Sequence, residues 1–452
     1  MSNSADGELR IQAQSATRSR GWWPVVALLM LVVALGHFNR IAISVAGAER
    51  IIPEGGIDEA RMGQIYSAFL LIYTLAMLPA GWLIDRVGAR ATLIVFCFGS
   101  AIFVAGTSAV GLFSKTPASL WMGLLAVRSL MGLVNAPLHP AAARMVYAHV
   151  PAQAKSLANG LVTFAACAGI SATYYGFGAL IDGFSWPGAF LVTGWITLAV
   201  ALSWTWGTRD LPPSVESFKA NSSGPHGPTN PLPSSPAESA GNVLLRPGVI
   251  CLAFSYAALG YFQYLFFYWI QYYIGTVQHL GADVSRRYST IITLAMGLGM
   301  IFGGWLADRV SRHSSDLSRR RLVPGLGMVA SGVVFELGLL SADSRIMITT
   351  FILSAGLLGM CEAAFWTTIV ELGTPRGGLA AGLMNMGGNA GGMLSPFATP
   401  LLSACFGSLY GKELGWRISL AIAGAVSVLG ALMWFGVKTG QQERFTDETS
   451  KS

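Results

Sequence analysis

Charge is scarce in this chain: Asp, Glu, Lys and Arg make up 11% of its 452 residues, against about 25% in a soluble domain. That scarcity excludes a lone soluble domain and a disordered chain, both of which depend on charge to stay in water. The five cysteines, Cys97, Cys167, Cys251, Cys361 and Cys405, all lie inside apolar stretches with no close pairing, which argues against a disulfide scaffold or a thiolate metal site. The chain has no HExxH, no GxxxxGK[ST] loop and no Ser-His-Asp constellation at one membrane depth. Metal hydrolysis, nucleotide-driven pumping and triad chemistry therefore lack their carriers, and neither a cofactor nor a metal is expected. The formal net charge of +7 is scattered among short loops, whereas nucleic-acid binding needs basic residues gathered on one face.

What is abundant is apolar. Hydrophobic residues make up 53% of the chain, and the mean hydropathy is +0.55. Apolar runs recur at 22–48, 62–83, 91–113, 118–146, 157–181, 187–206, 248–275, 288–307, 322–341, 346–370, 378–405 and 417–437. Each is long enough to cross a hydrocarbon core about 30 Å thick as a helix. They are unbroken rather than alternating, which selects helices over a β-barrel. The predicted fold is all-α and polytopic, with twelve transmembrane helices in two six-helix bundles. On that topology the side facing both termini holds more than twice as many Lys and Arg as the other, which makes it the cytoplasmic side. Residues 1–20 are polar, contain Arg10, Arg18 and Arg20 and lack the apolar core of a secretory signal, so a cytoplasmic tail is expected.

One long polar stretch divides the spans six and six. It carries Pro212, Pro213, Pro225, Pro228, Pro231, Pro233 and Pro236 among Ser, Asn and Gly, the composition of a flexible linker. The expected organisation is an N-terminal bundle over 1–207, a cytoplasmic linker over 208–246 and a C-terminal bundle over 247–452. The halves also repeat. Gly81-Trp82-Leu83-Ile84-Asp85-Arg86-Val87 recurs as Gly304-Trp305-Leu306-Ala307-Asp308-Arg309-Val310, and Ala168-Gly169 is echoed by Ala390-Gly391. Parallel six-helix repeats imply two bundles that rock about a site near the membrane midplane.

The GWLIDRVGAR segment after the second run, its copy after the eighth and the long central loop resemble the major facilitator superfamily over nearly the whole chain. FNRIAISVA in the first helix, RSLMGLVNAPLHPAAARMV in the fourth and PAQAKSLANGL opening the fifth are similar to its anion:cation symporter branch. That resemblance implies a multi-pass carrier of the bacterial inner membrane, working as a monomer in the bilayer on a small organic anion such as a sugar acid, with H+ as coupling ion.

The residues point the same way. Arg40 and Arg128 lie deep in the first and fourth helices, where an Arg costs about 2.5–3.5 kcal/mol unless it has an interior partner. A guanidinium binds carboxylate bidentately, so two of them can clamp an acid and would repel a cationic drug. The resemblance assigns both to substrate. It also leads one to expect acids beside them, where this chain has Asn39 and Asn135, amides that can bond substrate but cannot titrate. Of the two acids within later helices, Glu362 mirrors Asn135 when GLVNA (132–136) is aligned with GMCEA (359–363), which makes it the better proton carrier, with Glu336 second. Tyr73, Gln263, Tyr264, Asn385 and Asn389 are polar or amphipathic groups at membrane depth, suited either to a polyhydroxylated ligand or to interhelical bonds. His37 is expected to pack or hydrogen-bond beside Arg40. Gly81, Asp85, Arg86 and Arg90, with Asp308 and Arg309, are expected to gate the cytoplasmic side through ion pairs between the bundles. Loss of both usual acids leaves an uncoupled facilitator, an exchanger or a sodium-coupled carrier open as alternatives.

Overall fold

The computed structural model describes residues 22–151, 154–211, 243–313, 317–373 and 377–437, apart from the side chains of 156, 307–308, 310–313, 317–322, 371 and 377. The N-terminal tail, residues 212–242 of the linker and the Asp308 side chain lie outside that set. The helices are α1 (Trp23–Glu54), α2 (Glu59–Val87), α3 (Ala89–Phe113), α4 (Pro117–His149), α5 (155–184), α6 (186–207), α7 (Pro247–Tyr268), α8 (Ala282–His313), α9 (Leu317–Leu340), α10 (Ser344–Leu372), α11 (Gly377–Tyr410) and α12 (Lys412–Leu432).

Eleven of the described helices are long and apolar enough to cross a membrane. One of them, Leu157–Gly207, has 51 residues, about 77 Å of straight helix and more than twice the hydrocarbon core. It cannot run straight. Ser185 leaves the helical region with φ 60° and ψ 166°, and the chain doubles back so that the Phe177 and Phe190 rings meet at a tilt with centroids 4.7 Å apart. The result is α5 and α6, and twelve passes among the described residues. Helix starts follow local chemistry. Pro24, Pro117 and Pro247 occupy first turns, where their missing N–H is not needed. The Asp58 carboxylate caps α2 by accepting from the Arg61 N–H at 2.7 Å.

Glycine sets how closely the helices approach. A Cβ on Gly132 of α4 would lie 2.3 Å from the Phe69 carbonyl of α2, and one on Gly359 of α10 would lie 2.1 Å from the Met296 carbonyl of α8. Both contacts join residues 63 positions apart, so the two halves repeat in packing as well as in sequence. The Gly169 and Gly391 echo behaves alike: the first meets the Ala34 carbonyl of α1 and the second the Ala257 carbonyl of α7, at 2.1 and 1.9 Å. With no hydrophobic drive between helices in lipid, such contacts carry association through dispersion. Across the bundles α2 packs on α11, where Gly63 faces the Pro396 carbonyl, and α5 packs on α8, where Ser171 donates to the Thr290 carbonyl at 2.7 Å.

Gly391→Val should separate α7 from α11 and lower stability by about 1–3 kcal/mol or more, the cost of overpacking. Gly160→Ala, whose new Cβ meets nothing within 4 Å, is the matched control. Thermal unfolding of the detergent-solubilised pair measures the difference; equal midpoints would refute the close-packing role.

Candidate substrate site

The first and fourth helices bring the two deep arginines together. Arg128 is fully enclosed; its guanidinium donates to the backbone carbonyl of Arg40 at 2.6 Å, to that of Asn39 at 3.4 Å and to Met131 Sδ at 3.1 Å. It therefore holds the stretch of α1 that carries Arg40. Arg40 donates to the Tyr264 hydroxyl of α7 at 2.5 Å, a bond between the two bundles. The guanidiniums sit over the Phe69 ring at 5.1 Å for Arg40 and 5.0 Å for Arg128, and Arg40 also lies 5.2 Å from the ring centroids of Tyr73 and Tyr264. Each such ring contributes about 0.5–2 kcal/mol to a desolvated cation. Nε of both arginines is buried without a partner, and among the described residues neither has a carboxylate beside it.

Tyr73 and Tyr264 thus join the arginines, as does Phe69, which the sequence reading passes over. It lies four residues before Tyr73 on one face of α2, and that spacing is the available signal. Asn39 and Asn135 are placed elsewhere. The Asn39 amide donates to Thr197 of α6 at 2.8 Å, while Asn135 donates to the Met131 carbonyl at 2.8 Å and to Ser100 of α3 at 3.4 Å. In this conformer both amide NH2 groups are engaged within the N-terminal bundle. Gln263 reaches Met296 Sδ at 3.6 Å. Asn389 donates to Asn385 and contacts Met77 Sδ of α2 at 3.8 Å. On α10, Glu362 accepts from the Tyr256 hydroxyl and from Trp366 Nε1, and its Oε2 is buried without a partner. Glu336 lies against Gly424 on α12, so it is not brought to the arginines.

The expected gate residues are at the far helix ends. Asp85 pairs with Arg144, Arg86 lies over the Trp82 ring at 4.4 Å, and Arg90 donates to Thr208 and to the Thr205 carbonyl, each contact inside the N-terminal bundle. Arg309 lies over Trp305 at 5.6 Å. A Cβ added to Gly81 would meet nothing within 4 Å.

At the opposite end the bundles are locked by ion pairs that the sequence reading misses. Arg286 of α8 chelates Glu49 of α1 at 2.6 and 2.7 Å and Asp182 of α5 at 2.5 and 2.9 Å. Gln271 also donates to Glu49, and Tyr272 and Lys412 both reach Glu59. The available signal is a sign asymmetry, an excess of acids at this end of the N-terminal half and of bases at this end of the C-terminal half. The Arg286 and Glu49 side chains are only 9% and 7% exposed, so removing one partner leaves an uncompensated buried charge, worth about 3–5 kcal/mol against the state that holds it.

The family model described as Major Facilitator Superfamily matches residues 29–396 and 289–451. The chain is 25% identical over 436 residues to a D-galactonate transporter of Escherichia coli O6:H1, covering 94% of this chain and 97% of that one. It is 25% identical over 416 residues to a hexuronate transporter of Bacillus subtilis, covering 90% and 93%. In structure it resembles a bacterial homologue of the human lysosomal transporter Spinster, in an inward-facing and occupied conformation, with a TM-score of 0.71 at 16% identity over 91% of this chain and 95% of that one.

Arg286→Gln should open the Glu49 end. Spin labels at Glu54 and Asp283, on opposite bundles, should shift to longer separations in the variant, and a distance distribution identical to that of the unmutated protein would show that these pairs do not hold the bundles together.

Proposed function

The chain belongs to the Major Facilitator Superfamily, which makes it a membrane transporter rather than an enzyme, and from that premise we propose that it imports an organic carboxylate, a sugar acid, by proton-coupled alternating access across the bacterial inner membrane. The observation that carries this reading is the pair of arginines held at membrane depth with no acid beside either among the described residues. An anion entering the site supplies the missing charge. Arg40 is the group that meets the carboxylate, with Tyr264 and Tyr73 beside it for hydroxyls, while Arg128 positions α1 and adds its field. The positive-inside assignment puts the Asp85 end in the cytoplasm and the Glu49 latch outside, so this conformer is closed to the outside. Asp85, Arg86, Arg90, Asp308 and Arg309 then serve the opposite state, in which the cytoplasmic ends meet.

Glu362 is the proposed proton carrier, because Oε2 is the open position on an otherwise bonded carboxyl. The competing reading, exchange without coupling, rests on Asn39 and Asn135, whose amides cannot carry a proton.

Arg40→Ala should weaken binding of D-galactonate or D-glucuronate by about 2–5 kcal/mol, some 30-fold or more in Kd, as expected when one partner of a buried charge pair is truncated. Arg128→Lys should impair it too, since a point charge cannot span the two α1 carbonyls. Calorimetry on purified protein decides: unchanged affinity in Arg40→Ala rejects the anion site. In proteoliposomes with an imposed pH gradient, Glu362→Gln should lose uphill accumulation while keeping exchange of labelled for unlabelled acid. Accumulation equal to that of the unmutated protein removes Glu362 from the mechanism, and an unmutated protein that exchanges but never accumulates establishes the uncoupled reading.

A further inference from the structure

His37 of α1 and His139 of α4 face each other with their Nε2 atoms 3.3 Å apart and ring centroids 5.0 Å apart. His37 is buried, and its Nδ1 lies 3.0 Å from the Val33 carbonyl. His139 is exposed and follows the break in α4 at Ala136–Pro137, flanked by Pro137 and Pro140. The contact is held by packing: a Cβ on Gly36 would lie 2.9 Å from Phe96 of α3 and 3.1 Å from Leu138 of α4, so at this level α1 is seated against both helices.

The hydrogen-bond chemistry assigns the protons. A carbonyl only accepts, so Nδ1 of His37 must carry its hydrogen, which leaves Nε2 of the neutral ring as an acceptor. His139 must then donate through Nε2–H, which leaves its own Nδ1 as the free basic atom of the pair. A further proton added there produces an imidazolium without breaking either existing bond. The dyad can therefore hold one extra charge on His139.

Its surroundings connect that charge to the anion site. Arg40 is three residues from His37 on nearly the same helical face. Arg128 of α4 is the other cation of this bundle's interior. The spans of α2 over 62–84, α3 over 91–113, α5 over 157–181 and α6 over 186–207 contain no Asp, Glu, Lys or Arg. Their remaining titratable groups are thiols and phenols, which stay neutral near pH 7. Glu362 is on the other bundle, and Asp85 is paired with Arg144 at the helix ends. An extra proton on His139 thus meets like charge when the site is empty and a neutralised Arg40 when an anion is bound.

We propose that the His37–His139 dyad is a protonation site of the N-terminal bundle that binds H+ together with the anion, a role not filled by Asn39 or Asn135. This rests on the organic-anion reading above and adds to it a second proton position besides Glu362. By reciprocity, if the anion favours the proton, the proton favours the anion by the same factor.

The affinity of purified protein for D-galactonate and D-glucuronate, measured by calorimetry from pH 8 to pH 5.5, tests this. The unmutated protein should bind about tenfold tighter at pH 5.5 than at pH 8. His139→Gln and His37→Gln should flatten that dependence, while His149→Gln, which removes the other α4 imidazole, should keep it. Full pH dependence in His139→Gln, or none in the unmutated protein, overturns the dyad while leaving the anion site standing. Failure of either acid to bind at any pH overturns the anion reading instead, and the dyad is then judged without ligand. In protein labelled with 13C-histidine, His139→Gln should move the His37 resonance and its titration, and an unmoved His37 resonance overturns the pairing.

Discussion

Two guanidiniums with no carboxylate beside them among the described residues, in a medium too poor in water to solvate them, are the constraint around which this molecule is organised. Charge at that depth has to be stabilised by whatever the helices can offer. For Arg128 that is the backbone of α1, and for Arg40 it is a ring of aromatic faces and the Tyr264 hydroxyl. These partners reduce the desolvation penalty but, among the described residues, supply no opposite charge.

The same constraint explains why the glycine contacts matter to function. Arg128 can reach the α1 carbonyls only if α1, α2 and α4 lie close together, and Gly132 against the Phe69 carbonyl sets part of that spacing. Phe69 then serves twice, through its backbone as a packing surface and through its ring as the plane shared by both arginines. Charge is sorted between the bundles as well: the interior cations Arg40 and Arg128 belong to the N-terminal half, and the interior acids Glu336 and Glu362 to the C-terminal half. At the Glu49 end the order reverses, with acids of the first half holding a base of the second. The ion pairs join the bundles at the helix ends, and the two arginines lie at the depth of the Tyr264 contact between them.

The surprises come from contacts between distant helices. Adjacency to Arg40 and Arg128 along the chain makes Asn39 and Asn135 look like substrate ligands. In the folded chain their NH2 groups bond to α6, α3 and their own helix, because successive residues on a helix point about 100° apart. Nothing in the local sequence marks His139; its partner is a second imidazole 102 positions away.

The sequence by itself determined the solvent, the number of crossings, the internal repeat and the identity of the interior charges. Each of these is recorded in composition or in runs along one dimension, and the bilayer enforces it residue by residue. Tertiary structure alone decided which charges found partners. Arg286 meets Glu49 across 237 positions, Tyr264 meets Arg40 across 224, and the hairpin at Ser185 brings α6 to Asn39. Such pairings depend on helix rotation and on approach distances set by glycines on other helices, so they exist only once the bundles have packed.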